Sequence, residues 1–254
     1  MEPETQTAEF PYIQDRYARF CVTIAKQAAE ADRQQYTESE ELLDKFVKLF
    51  RNIGTNLLLA HEDRSFEIDD GNSDIIRALI AYQLKWEATF LEYYHRAGGK
   101  GGNIYNPIML IGAKGTGKTI LFDVASWFAS ITGLHSRSFV STSASELLNH
   151  FRVHGNIDKY TYNIEGDGKP FNVCFNDLGV ERDEKSNSYG TSVTSVVRDF
   201  LLARYEIAQN LGGLCHITTN LSVKDVVASY PERVVDRLKQ YNVFQLRGTS
   251  RRRN

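Results

Sequence analysis

Gly112-Ala113-Lys114-Gly115-Thr116-Gly117-Lys118-Thr119 matches G-x-x-x-x-G-K-[ST] at every fixed position. The apolar run Ile108-Met109-Leu110-Ile111 precedes it, and a helical pattern from Thr119 to Phe128 follows. A glycine-rich turn that binds nothing is the plain alternative, and this strand-loop-helix context weighs against it. Glycines let the backbone fold around phosphates, with N–H groups gathered at a helix N-terminus whose dipole favours anions. The motif predicts a nucleotide site in which Lys118 neutralises the β- and γ-phosphates and the Thr119 hydroxyl ligates Mg²⁺.

Working outward, short apolar runs alternate with helical patterns, the signature of a parallel sheet with crossovers. Strands are expected at Ile108–Ile111, Phe139–Ser141, Asn172–Phe175, Leu214–Thr218 and Val243–Leu246. Helices are expected near 117–132, 144–153, 192–209 and 223–240. Ser143-x-x-Glu146 is a capping box, and Tyr160–Lys169, with Glu165-Gly166-Asp167-Gly168 at its centre, reads as a hairpin. The expected class is α/β: a three-layer P-loop domain around a five-stranded parallel sheet, preceded by a helical N-terminal region.

In that N-terminal region, Thr37-x-x-Glu40 has capping-box spacing, and Leu42, Phe46, Leu49, Phe50 and Ile53 form one apolar stripe that Gly54 is expected to end. A second helical pattern starts at Asn72-Ser73, carries Ile76, Leu79, Ile80, Trp86, Phe90 and Leu91, and stops at the flexible stretch Ala97–Gly102. Phe20–Ala31 reads as a further helix. Of the 254 residues, 42% are hydrophobic and 24% charged, which excludes a disordered tail. The net charge of −2 excludes a protein that coats nucleic acid by bulk charge, so DNA contact requires a local patch. Cys21, Cys174 and Cys215 are too few and too scattered for a disulfide framework or a metal cluster. No apolar run reaches the roughly 18 residues of a membrane span, and the acidic start MEPETQTAEF is unlike a secretory signal. A cytoplasmic protein with no membrane association is expected.

Four further segments bear on chemistry. The apolar strand Asn172-Val173-Cys174-Phe175 runs into Asn176-Asp177-Leu178-Gly179, the arrangement of an acid-tipped strand beside a phosphate loop. Asn176 can accept a hydrogen bond from metal-bound water but brings no charge. Either Asp177 takes the metal role and Glu181 or another group activates water, or Asp177 is the base beside a weakened metal site. Next, Leu214–Thr218 leads into Thr219-Asn220-Leu221-Ser222, where Asn220 is placed to sense the γ-phosphate and Ser222 to cap the following helix. Third, Arg233 and Arg237 are four apart on one helical face, the spacing of a solvated face or ion pair but also of an arginine supplied across a subunit boundary. Last, Arg247 to Asn254 holds four arginines, readable as a phosphate sensor, a DNA-backbone contact or a solvated tail.

Taken in order, GAKGTGKT, FNDLGVE, ITTNLS, YPERVVDRL and GTSRR resemble the AAA+ ATPases of the DnaC type, the replicative-helicase loaders, and the similar transposition helper ATPases. The resemblance covers about residues 66–254, an ATPase domain, and leaves 1–65 as a helical region that would dock a partner. It implies the five-strand AAA+ sheet order with a reduced or missing lid, Asn220 as first sensor, Arg237 as arginine finger with Arg233 beside it, and Arg252 as second sensor. It also implies ATP-controlled homo-oligomeric assembly on single-stranded DNA and contact with a replicative helicase. The pattern carries an acid where this chain has Asn176, which puts strong hydrolysis in question but not binding. Two other readings stand beside the loader: a transposition helper acting on duplex DNA, and a nucleotide-binding scaffold that does not hydrolyse ATP.

Overall fold

The computed structural model describes residues 36–60, 64–164, 166, 168–183, 187–188 and 191–251. Five strands form its main sheet: β1 (Ile108–Gly112), β2 (Val140–Ser143), β3 (Val173–Leu178), β4 (Cys215–Thr219) and β5 (Asn242–Leu246). Their order is β2-β3-β4-β1-β5, with every neighbouring pair parallel. This is the AAA+ order that the resemblance implies. β4 therefore lies between the strand that feeds the phosphate loop and the strand that carries Asp177.

Side chains alternate between the faces of a strand, so β1 serves two cores at once. Ile108 and Leu110 pack with Phe244 and Leu246 of β5 beneath α1 (Glu40–Leu59), α2 (Ser73–Leu84), α3 (Glu87–Arg96) and α4 (Lys118–Ile131). Met109 and Ile111 pack on the other face with Phe175 and Ile217, covered by α5 (Ala144–His154), α6 (Val193–Leu211), α7 (Val223–Ser229) and α8 (Glu232–Leu238). Three layers result, as the sequence predicts. No helix of the described residues is long and apolar enough to cross a membrane.

Several expected boundaries move. Helix α1 is capped by Ser39, whose hydroxyl accepts from the Leu42 N–H, not by Thr37. Gly54 does not stop it: a Cβ there would lie 2.5 Å from Phe66 Cγ, so glycine allows a close crossing and the helix runs on to Leu59. Phe46 meets Phe128 of α4 edge-on at 5.3 Å, and Leu43, Phe50 and Ile53 join the same core as Phe244. The expected division at residue 65 therefore does not separate two cores. The single pattern read from Ser73 is two helices, broken where Lys85 takes a left-handed φ of 59°. The helix expected over 223–240 is likewise broken, at Pro231, with Ser222 capping α7 through a capping box with Asp225. Ser143 and Glu146 form the expected box on α5.

The expected hairpin at 160–169 is absent from the described residues. The chain turns there around Asn163 (φ 54°), whose carbonyl accepts from the N–H groups of Gly166 and Gly168. A two-residue antiparallel ladder, Asn187–Ser188 with Thr191–Ser192, occurs further along. The helix expected at 20–31 lies outside the described residues.

Candidate functional site

β1 ends at Gly112 and α4 begins at Lys118, so the motif occupies the strand-to-helix turn that its spacing predicts. Gly115 and Gly117 adopt φ of 84° and 95°, a region that L side chains avoid, and Gly117 leaves the first turn of α4 without a side-chain cap. The first-turn N–H donors are thereby kept for an anion. Lys118 is 5% exposed, and its Nζ donates to Gly112 O at 2.9 Å, Ala113 O at 3.0 Å and Asn220 Oδ1 at 2.7 Å. Thr116 donates to Ala113 O at 2.8 Å and stiffens the turn. Lys114, Gly115, Thr116, Gly117, Lys118 and Thr119 line a cleft of about 1550 Å³, whereas Gly112 and Ala113 act through their carbonyls.

The tips of β3 and β4 supply the cleft's other polar groups. The β3–β4 register shifts between Phe175 and Leu178, and Asp177 sits at φ 58°. This irregularity sends Asp177 into the cleft while Asn176 stays buried. One hydroxyl organises both: Thr218 Oγ1 accepts from the Asp177 N–H at 2.9 Å and donates to Asn176 Oδ1 at 3.2 Å. Asn176 also receives the Cys174 thiol at 3.7 Å and does not line the cleft, so its expected water-mediated metal role finds no support in its placement. Asn220, one residue past β4, lines the cleft beside Lys118. Asp123 lines it as well; burial pushes its carboxyl up, partly offset by the Ser141 hydroxyl at 2.8 Å.

Glu181 is not brought to the cleft. It is 1% exposed and accepts from the Gly179 N–H at 2.8 Å and from the Tyr230 hydroxyl, a second-acid position turned into a structural tie. Arg233 and Arg237 are elsewhere too. Arg233 approaches Glu206 at 3.9 Å on an exposed surface, and Arg237 stacks on the Tyr205 ring at 4.2 Å and pairs with Asp236 at 3.4 Å.

The C-terminal arm reaches the phosphate loop through Arg251. Its N–H donates to Gly115 O at 2.9 Å, its guanidinium holds Asp69 at 2.8 Å, and its carbonyl accepts from Arg64. The Arg251 guanidinium holds the Asp69 carboxyl below the usual carboxylate range. Arg252, the expected second sensor, lies outside the described residues.

Two cleft residues, Asp123 and Arg251, and the buried Thr218 hydroxyl behind the cleft escaped the sequence reading. Asp123 is four after Thr119 on one helix, so periodicity alone could have found it. Which arginine of the tail meets the loop carries no such signal. Thr119 and Asp177 offer a hydroxyl and a carboxylate in the same cleft as Lys118, a hard-oxygen set that fits Mg²⁺ held jointly with phosphate.

Phosphate loop, acid-tipped β3 and strand order together define the class: an AAA+-like P-loop fold. No protein-family model and no curated protein sequence matches the chain. Among solved structures it is similar to the DnaC helicase loader, with a TM-score of 0.46 and 17% identity over 79% of this chain and 99% of that one. It is similar to the replication initiator DnaA bound to AMPPCP and single-stranded DNA, with a TM-score of 0.44 and 17% identity over 72% of this chain and 49% of that one. Domain III of the Thermotoga maritima replication initiation protein DnaA gives a TM-score of 0.46 and 17% identity over 72% and 65%. The chain thus spans about half the length of the DNA-bound DnaA chain.

Proposed function

We propose that this chain is an ATP-binding and ATP-hydrolysing protein of DNA replication, a helicase loader of the DnaC type that assembles on single-stranded DNA and contacts a replicative helicase. The observation that carries the reading is convergence: Lys118, Thr119, Asp177 and Asn220, drawn from α4, β3 and the end of β4, meet in one cleft.

In the proposed mechanism the loop amides and Lys118 bind the phosphates and offset their charge. Thr119 and Asp177 would hold Mg²⁺, which when bound would further neutralise the phosphate oxygens. Asn220 orients water at the γ-phosphate, since its amide already lies 2.7 Å from the Lys118 ammonium. Arg237 cannot serve its own protomer. It lies at the end of α8, just before β5 begins, whereas the loop follows the end of β1, and these parallel strands run side by side. Five residues of strand separate the two ends by about 16 Å. A finger role for Arg237 therefore requires a neighbouring protomer, which links turnover to homo-oligomeric assembly.

The buried ties of Glu181 and Asn176 favour a second reading, a nucleotide switch with little or no turnover. Steady-state ATP hydrolysis with no DNA, single-stranded DNA or duplex, beside Lys118→Ala as blank, separates the readings. Turnover that rises with single strands supports the loader. A response to duplex alone favours a transposition helper, and tight ATP binding with turnover at the blank favours the non-hydrolysing scaffold.

A further inference from the structure

A second cavity, of about 380 Å³, opens at the opposite edge of the sheet from the phosphate loop. Its walls are the segments that enter the strands: Pro107 before β1, Arg137 before β2, Leu214 before β4 and Tyr241 before β5, closed over by α6. Four cations line it, Lys85, Arg137, Arg204 and Arg237, and no carboxylate does.

Arg204 is the unusual member. It is 1% exposed, and its Nη2 holds the carbonyls of Phe171 and Leu214 at 2.9 and 2.8 Å, while Nε and Nη1 have no acceptor. A guanidinium does not deprotonate in proteins, so it remains a buried cation with two unused donors. Arg137, 5% exposed, gives both terminal nitrogens to Ile104 O at 3.3 and 3.2 Å and lies over the Tyr82 ring at 4.6 Å, all neutral partners. Local groups do not supply the missing negative charge. Burial pushes the Cys215 thiol and the Tyr241 phenol up against the opposing pull of Arg204, which disfavours a negative charge on either. His216, behind the wall, is pushed down to about 3 by burial and then by Arg137 and Arg204, so it stays neutral while feeling both cations.

A buried charge without a counter-ion is strongly disfavoured unless something of opposite sign is bound. We propose that this cavity is a binding site for a small phosphate-bearing ligand, ringed by Lys85, Arg137 and Arg237 and drawn by the uncompensated charge of Arg204 buried in its wall. Phosphate fits better than a single carboxylate: it offers up to two charges and at least three acceptor oxygens to cations approaching from four separate elements. The volume matches a small molecule and leaves no room for a folded partner. The proposal does not rest on the nucleotide reading, because the two sites lie at opposite strand ends.

The test is titration of the full chain with inorganic phosphate and pyrophosphate, followed by calorimetry and by ³¹P line width, in a Lys118→Ala background that weakens phosphate-loop binding. One equivalent is expected to bind, and Arg204→Met is expected to weaken it by about tenfold or more. Arg204 also holds two backbone carbonyls, so a fold-neutral partner is needed: Ala208→Phe fills the cavity from α6 and leaves every cation in place. Loss of binding in Ala208→Phe with an unchanged circular dichroism spectrum supports the site even if Arg204→Met does not fold. No binding in the Lys118→Ala background, or binding that survives Ala208→Phe unchanged, overturns it.

Discussion

The two ends of the parallel sheet handle charge in opposite ways. At the ends where β1, β3 and β4 finish, one lysine is surrounded by oxygens within 3.0 Å, and the open cleft is lined by glycines, short polar side chains and the carboxylates of Asp123 and Asp177, with Phe66, Trp127 and Arg251 at its walls. At the ends where β1, β4 and β5 begin, bulky arginines are packed against rings and carbonyls with no carboxylate among the lining residues. The first end is arranged for a ligand whose charge and water must be controlled in place. The second collects cations whose charge no lining carboxylate offsets. Parallel topology makes such a division possible, because every strand carries its entry and its exit to the same two edges.

The largest effect that would sharpen this comparison belongs to Arg237. If it serves a neighbour, Arg237→Ala lowers turnover of the assembled protein by about 10³-fold and leaves ATP affinity intact. Mixing Arg237→Ala with Lys118→Ala protomers then restores part of the activity, since each supplies what the other lacks. Unchanged turnover and assembly in Arg237→Ala would end the finger assignment. Next in size is Lys118→Ala, expected to weaken ATP binding by about 10²-fold, as read with a fluorescent nucleotide. Retained affinity would remove the phosphate-loop end from the comparison altogether.

How much of this was legible in the chain itself depends on the range of the signal. The loop, the five strands and the Ser143 and Ser222 caps are local patterns, and they fall where spacing puts them. Gly54 reads as a stop because sequence does not show Phe66, twelve positions on, folding to within 2.5 Å of where its Cβ would stand. Lys85 and Pro231 break helices whose apolar periodicity runs straight through them. At the site, the roles of Asn176 and Asp177 hinge on a register shift against β4, which no one-dimensional alternation reveals. The cationic cavity was invisible for the same reason: Arg137 and Arg204 are 67 positions apart and meet through the sheet.

A third prediction follows from that register shift. The absent acid suggests Asn176→Asp as a repair, but the side chain faces Thr218 and Cys174 inside the sheet, not the cleft. The substitution places a carboxylate at a buried site and is expected to cost about 1–3 kcal/mol in urea unfolding with no gain in turnover. A rise in ATP hydrolysis would show that Asn176 reaches the nucleotide after all and would redraw the phosphate-loop end.

The smallest effect concerns the latch between Asp69 and Arg251. The Arg251 guanidinium lowers the Asp69 carboxyl below its ordinary value of 3.8, so the pair contributes stability that is complete above that value and is lost as pH falls through the lower folded value. Both side chains are partly open to water, at 50% and 30% exposure, which limits the pair to less than about 1 kcal/mol. Asp69→Asn should therefore unfold slightly earlier in urea at pH 7, the gap closing as pH falls below 3.8 and shrinking with added salt. The same residue steadies the Arg251 backbone that holds Gly115, so ATP affinity should fall by a small factor in parallel. A stability gap independent of pH would mean that Asp69 acts through its hydrogen bonds to Gly71 and Asn72, and the arm would then have no electrostatic anchor at the phosphate loop.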